Sequence, residues 1–414
     1  MTVINSGTVY SQNAEAIYMK QANQTLTLLN GSIIEGDIRF SQPASARLNI
    51  GRGVDGQFTL DGIPGVITTE GQAYTIDGDV LLVVSTDTIG AGGTAASATS
   101  GAIATLVGGH IGSRRQNNSS AAAPLGYAPS PAAPEFPNFA PGDAYGAWAS
   151  VYGGASRPAD GKPGLQTGQA GGLVGFDARL SGDTMVGLFA GFGQGVVNLQ
   201  SASVDSTTLV GGAYGSLALG AGFIDVNATF GASWNRSGRE FLNNKAAGGV
   251  EKVTGQYGSY FVSPSVTLGI DHELGGARVT PSVSLLYAGI FRDEYTETGA
   301  ARSLTLGSQT THVLTARGEV ELGSIRQSDE PNGWKGSMRL GAEGTITDGG
   351  AINASLPGTS FSLAGAQTTE GRGFIGVDVG YTHNGYNISA KSEVGYSTTG
   401  MLSGTVQGGI GTRF

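Results

Sequence analysis

Four histidines, His110, His272, His312 and His383, are the side chains most suited to metal or proton chemistry, and their spacing supports neither. None forms the His-x-x-x-His pair that sets two imidazoles on one helical face for zinc, so they read as isolated loop or interior residues. The 414 residues contain no cysteine, which excludes thiolate metal sites and disulfides. Asp77-Gly78-Asp79 resembles a fragment of a calcium loop. The glycine-rich repeats that would supply further oxygen ligands are missing, so the triplet reads as a turn. Gly191-Phe192-Gly193-Gln194-Gly195 has glycines spaced like a phosphate loop but no following helix and no lysine, and reads as a strand of slim residues. No Gly-x-Ser-x-Gly elbow occurs. The expectation is no cofactor, no metal and no enzymatic activity.

The elements that carry these residues point elsewhere. Only 13% of the residues are charged, 71 are glycine, and the formal net charge is -9. That charge offers no basic footprint for nucleic acid. No run approaches the roughly 20 apolar residues that a membrane helix needs, so the chain either avoids membranes or crosses one as strands. Met1-Thr2-Val3-Ile4 is already strand-like, without a basic segment, apolar core and cleavage site, so we expect the sequence to begin downstream of any export signal.

Three segments separate. Residues 1–92 carry short β-prone bursts such as Leu26–Leu29, Asp37–Phe40, Arg47–Ile50, Gln57–Leu60 and Val80–Val84, with turn signals at Asn30-Gly31, Glu35-Gly36 and Asp61-Gly62. Strands this short at such intervals suit a parallel β-solenoid, with a small β-sandwich as the alternative. Within 93–143, Thr94 to Arg115 is built of small residues with Ile103, Leu106, Val107 and Ile111 near helical spacing, which predicts a slim helix. Pro124, Pro129, Pro131, Pro134, Pro137 and Pro141 follow and imply an extended linker. From 144 to 414 about twelve segments alternate polar with apolar residues at a period of two.

In Tyr386–Tyr396 the residues Tyr386, Ile388, Ala390, Val394 and Tyr396 share one face, and Asn387, Ser389, Lys391 and Glu393 share the other. Ile224, Val226, Ala228, Phe230 and Trp234 likewise oppose Asp225, Asn227 and Thr229. Leu314, Ala316, Val320 and Leu322 oppose Arg317, Glu319 and Glu321; Met338, Leu340 and Ala342 oppose Arg339 and Glu343. A soluble sandwich packs the apolar face inside, whereas a membrane barrel turns it outward. The connections favour the barrel, because long ones near 156–166, 237–251, 292–308 and 347–369 alternate with tight ones such as Ser181–Asp183, Leu219–Ala221 and His383–Gly385. An arginine or lysine facing lipid costs about 2–4 kcal/mol at the midplane, so Arg179, Asp225, Arg317, Glu319, Glu321, Arg339, Glu343, Asp378, Lys391, Glu393 and Arg413 are placed in the lumen, in packing and plug contacts.

A solenoid end, a small-residue helix, the cluster Tyr145-Gly146-Ala147-Trp148 with Tyr152, about twelve strands and a terminal Arg413-Phe414 together resemble the C-terminal part of a bacterial autotransporter. The resemblance covers nearly the whole chain. It implies an all-β fold: a transmembrane antiparallel barrel of about 12 strands with a linker helix in its lumen, preceded by a short solenoid. It further implies an outer-membrane translocator, with the passenger carried to the cell surface for adhesion to a host surface or matrix ligand. Implied partners are outer-membrane lipid, periplasmic chaperones and the barrel-assembly machinery, whose recognition signal is carried over to Phe414. Some members release their passenger by cyclisation of an asparagine inside the barrel. Asn117 and Asn118 are the only asparagine pair in the linker, but their surroundings do not match the self-cleaving motif and suit a solvated loop, so no catalytic residue is expected. The rival reading is a small diffusion channel with an N-terminal β domain.

Overall fold

The computed structural model describes residues 1–85, 89, 91–116, 144–162, 164–324, 333–356 and 359–414. Two parallel ladders wind through the N-terminal region. One joins β1 (Thr2–Asn5), β3 (Thr25–Leu28), β5 (Arg47–Ile50) and β7 (Val66–Thr68). The other joins β2 (Thr8–Met19), β4 (Ile33–Phe40) and β6 (Gly56–Asp61). Successive strands alternate between the ladders, which is the winding of a β-solenoid, and each coil buries its apolar residues on the one below. Leu26, Leu28, Ile34, Ile38, Leu48, Ile50, Phe58 and Leu60 form that core.

The parallel stack stops at β7. Next come β8 (Ala73–Asp77) and β9 (Val80–Val84), an antiparallel hairpin turned at Gly78, whose φ of +63° only glycine adopts without strain. Asp77-Gly78-Asp79 is thus a hairpin turn, and Asp77 pairs with Arg302. Strand β9 also lies antiparallel on β6, covering an edge that would otherwise expose unpaired backbone groups.

Helix α1 (Ala91–Gln116) then fills part of a closed barrel. The wall runs through β10 (Tyr145–Pro158), β11 (Gln166–Arg179), β12 (Thr184–Asn198), β13 (Ala202–Leu219), β14 (Gly222–Asn243) and β15 (Val250–Ile270). After the short β16 (His272–Leu274) it continues with β17 (Ala277–Arg292). Above β17 lie β18 (Tyr295–Thr296) and β19 (Thr305–Leu306), and the wall resumes with β20 (Gln309–Ser324) and β21 (Gly333–Gly349). Above β21 lie β22 (Ile352–Leu356) and β23 (Thr359–Leu363), before β24 (Gln367–His383), β25 (Tyr386–Ser397) and β26 (Met401–Arg413). Every neighbouring pair is antiparallel, and β26 pairs back onto β10 from Gly146↔Arg413 to Pro158↔Met401, closing a 12-strand barrel with no open edge.

The inversion of faces decides between sandwich and membrane barrel. Val151, Phe192, Leu209, Phe230, Trp234, Val283, Leu340 and Ile375 are exposed outside, while Asp225, Asn227, Thr229, Ser233 and Asn235 on the opposite face of β14 are buried. A band of exposed apolar side chains around a buried polar interior is what lipid requires. Leu340, 67% exposed near the middle of β21, gives a direct test. Leu340→Arg is expected to destabilise the barrel by about 2–4 kcal/mol in phospholipid vesicles, measured by urea unfolding, and an unchanged stability would place this face away from lipid.

Several connections are shorter than their sequence suggests. Residues 237–243 and 250–251 belong to β14 and β15, leaving only 244–249 as a turn. Segments 292–308 and 347–369 contain β18, β19, β22 and β23, which make a four-stranded sheet at the long-loop rim. Strands β13 to β15 greatly exceed the roughly 9–11 residues that a tilted membrane strand needs, so their outer ends stand clear of the lipid.

Candidate functional site

The lumen is the site, and its occupant is a helix whose sequence fits two different walls. One stripe of α1 is Ile103, Leu106, Val107 and Ile111, which bury against Trp148, Tyr152, Leu173, Phe189, Val210 and Phe261. The opposite stripe is nearly bare: Gly101, Thr105, Gly108 and Gly112 face a cavity of about 900 Å³. The helix is therefore seated on the β10–β17 side rather than centred. Glycines of the wall make room for the aromatics that support it. Gly175 lies across from Trp148, and Gly187 across from Tyr214, where a Cβ would strike the ring.

Helix polarity follows from its ends. Gly93 lies beside Thr311 at the long-loop rim, whereas Arg114 and Arg115 reach carboxylates near the short turns. Asp177, wholly buried, is the centre of the first group. Arg114 Nη2 lies 2.7 Å from its Oδ1, while its Oδ2 lies 2.8 Å from His110 Nε2 and accepts from Tyr214 Oη at 3.1 Å. Trp148 Nε1 donates to the Tyr214 oxygen at 2.8 Å, and its ring stacks on His110 at 4.5 Å. Gly146, paired with Asp177 across β10 and β11, is required here, since a Cβ would stand 2.7 Å from Asp177 Oδ1 and 3.0 Å from Arg114 Cζ. In the second group Arg115 Nη1 bonds Asp225 at 2.8 and 3.0 Å, with Asp271 at 3.4 Å and the Phe223 ring 3.3 Å beneath the guanidinium. Cations in the last turn also suit the negative end of the helix dipole.

The other charges sit across the cavity. Glu393 accepts from Arg317 at 2.6 Å and from Arg372 at 2.9 Å, and Arg339 lies at 3.4 Å. Arg317 also bonds Glu319 and Glu343, Arg372 bonds Glu343, and Arg339 bonds Asp378. Arg317 lies 3.6 Å over the Phe374 ring. Glu321 accepts from Arg278 at 2.7 Å. Lys391 lies 3.7 Å from Asp378 and packs against Gly109 of the helix. Thus Asp225 bonds the helix directly, whereas Arg317, Glu319, Arg339, Glu343, Asp378 and Glu393 bond one another along the far wall. Arg179 and Arg413 share the inward-facing parity of Asp177 and Gly411 near the short-turn end.

Asp177, Arg114, Tyr214 and Arg372 carry no spacing signal, and His110 reads from the sequence only as an isolated loop or interior residue. The available signal was position, since Asp177 is two residues from Arg179 on one strand face and Arg114-Arg115 ends the apolar helical stripe. His312 faces outward beside Leu314 and meets Tyr287 Oη at 2.7 Å, so it is neither a loop nor a lumen residue. His272 lies in β16, and His383 ends β24 beside the turn. Gly191 to Gly195 lie within β12, where Gly193 leaves space for the Tyr152 hydroxyl and Gly195 for Ser206 Oγ. Asn117 and Asn118 lie outside the described residues. Phe414 extends the β10 pairing by one residue, with two backbone hydrogen bonds to Tyr145 at 3.1 and 3.2 Å, and its ring lies near Tyr145 and Phe176.

A closed transmembrane barrel with a small-residue helix held in its lumen defines an outer-membrane translocator. The autotransporter beta-domain profile matches residues 147–407, and the chain belongs to that family. Among solved structures, the translocator domain of the autotransporter NalP from Neisseria meningitidis is similar over 76% of this chain and 98% of its own, at 17% identity and a TM-score of 0.51. The beta domain of the Bordetella autotransporter BrkA is similar over 66% of this chain and all of its own, at 14% identity and a TM-score of 0.51. These likenesses concern the fold. No curated protein sequence matches the chain. The protein is a β-barrel of the bacterial outer membrane that transports a passenger.

Proposed function

We propose that residues 1–92 are the C-terminal part of a solenoid passenger, carried to the cell surface and left anchored there for adhesion. The observation that carries this reading is the polarity of α1. Its first turns lie at the long-loop rim, where β14 also pairs with β6, and its C-terminal arginines lie at the opposite end. A chain that runs from the solenoid down the lumen has the course of a translocated polypeptide. Exposed Tyr10 and Tyr18 on the solenoid, and Tyr74 on the hairpin that follows it, are side chains of the kind that anchor binding at surfaces.

The test is protease treatment of intact cells expressing the chain behind an export signal. Loss of the solenoid with a protected fragment of about 30 kDa, the size of the barrel, is the expected result. A solenoid protected until the outer membrane is opened would place it in the periplasm. The cavity beside the helix would then favour the diffusion-channel reading.

The same reading gives Phe414 its role as the signal for barrel assembly, with lipid, periplasmic chaperones and the assembly machinery as partners. Phe414→Ala is expected to cut the heat-modifiable, membrane-inserted fraction several-fold in cells while leaving refolding in detergent nearly intact. Equal losses in both would make Phe414 a packing residue only.

A further inference from the structure

One buried arginine holds the segment that enters the helix to the loops above the lumen. Arg292, at the outer end of β17, is 7% exposed, and among the described residues no carboxylate forms an ion pair with it. Its Nη1 donates to Ile89 O at 3.3 Å and its Nη2 to Gly307 O at 3.0 Å. The guanidinium carbon lies 5.8 Å from the ring centre of Tyr257 and 5.4 Å from that of Tyr295, and the two rings stack at 4.6 Å. Burying a cation away from any counter-ion is costly unless hydrogen bonds and ring faces stand in for water. Here two main-chain oxygens and two aromatic faces do so. One oxygen belongs to the entry of α1 and the other to the loop of residues 293–308.

That loop is built to fold inward. Gly255 of β15 is buried beneath it, and a Cβ there would stand 2.5 Å from the Tyr295 ring, so the glycine is what lets the ring lie over the wall. Thr254 and Thr298 exchange two backbone hydrogen bonds of 2.9 Å, which tie the loop to β15, and Arg239 Nε donates to Glu297 at 2.9 Å. Leu306, Ile352 and Leu363 of the rim sheet then pack with Ile89 in one apolar cluster, leaving Ile89 5% exposed. The far end of α1 is fastened differently, by Arg114 and Arg115 on Asp177 and Asp225. A donor aimed at a main-chain carbonyl is indifferent to the side chain that carries it, which suits a hold on a chain that has slid past many residues before it stops.

We infer that Arg292 and the rim sheet form a latch that closes over Ile89 once the chain has passed, and that it holds the entry of α1 independently of the fastenings at Asp177 and Asp225. The inference rests on the proposal that residues 1–92 leave through the barrel, since only then must Ile89 cross this mouth. Its test involves no export, so a solenoid found in the periplasm and a failed latch are separate results. The chain contains no cysteine, so a single one introduced at a buried position reports on that position alone. The full chain is purified in detergent, and the rate of maleimide labelling is measured for Ile89→Cys and, separately, for Ile103→Cys in the middle of α1. Each is then compared with the same variant carrying a change at Arg292.

Arg292→Met, which keeps an apolar stem but loses both carbonyl bonds, is expected to speed labelling of Ile89→Cys at least about tenfold and to change that of Ile103→Cys less than about twofold. An unchanged rate at Ile89→Cys would overturn the latch and leave the seat to apolar packing. Equal acceleration at both positions would also overturn it, because the helix would then be loosened as a whole. If Arg292→Met loses its heat-modifiable migration, Arg292→Gln, too short to bridge the two carbonyls, supplies the rate. Labelling of Ile89→Cys at the parent rate in that variant would again overturn the latch.

Discussion

Replacing Asp177 by alanine is expected to loosen the helix from the barrel by about 3–5 kcal/mol, the cost typical of removing one partner of a buried charge pair. Asp177 is the one carboxylate that His110, Arg114 and Tyr214 share, and no solvent reaches it to replace it. Without it the Arg114 guanidinium, itself buried, is left without a counter-ion in a space walled by Trp148 and Gly146. The measurement is planar-bilayer conductance of the full chain, together with protease cleavage after Arg114 or Arg115. A helix that leaves the lumen part of the time gives large intermittent openings and cleavage at both arginines. Asp177→Leu combined with Arg114→Met should recover only part of the loss, because it removes the unpaired charge while His110 and Tyr214 still lose their acceptor. Parent-like conductance in Asp177→Ala would mean that the apolar stripe from Ile103 to Ile111 holds the helix unaided.

The helix was legible because its cause is local. Ile103, Leu106, Val107 and Ile111 recur at the spacing of one helical face, and the structure buries all four. The barrel strands were legible for the same reason, since lipid demands an apolar residue at every second position. That demand ends where the lipid ends. Above the membrane Arg239, Phe241 and Asn243 share one face of β14 and Gly238, Glu240 and Leu242 the other, so polar and apolar residues mix on both faces, although the hydrogen-bonded ladder with β15 continues through Leu242↔Val250. The period vanished from the sequence while the strand remained, so 237–251 looked like a long loop.

The partners of the lumen charges were illegible for a different reason. A period of two gives the face on which Glu393, Arg317 and Asp177 lie, but the strand stagger that brings residues 76 positions apart within 2.6 Å is a property of the closed barrel. Sequence also gave no sign that the helix would sit to one side. That asymmetry comes from wall glycines such as Gly175 and Gly187, which let large aromatics fill one half of the lumen only.

The far wall supports a second large effect of a different kind. Glu393 is 6% exposed and faces Arg317, Arg339 and Arg372 at once. Glu393→Ala should therefore cost about 3–5 kcal/mol of barrel stability, since three guanidinium groups would then share the remaining carboxylates Glu319, Glu343 and Asp378. Glu393→Gln keeps an acceptor oxygen and the packing but loses the charge, so its loss should be smaller while its electrostatic effect is the same. Urea unfolding in vesicles separates the two variants by stability. Reversal potentials across a salt gradient compare the charge they leave, and both should shift toward anions relative to the parent chain. The helix should stay seated in either variant, because its fastenings at Asp177 and Asp225 lie on the opposite wall. Large openings from Glu393→Ala would therefore show that the two walls are mechanically coupled, whereas a stability loss without them would assign the charge network to the wall alone.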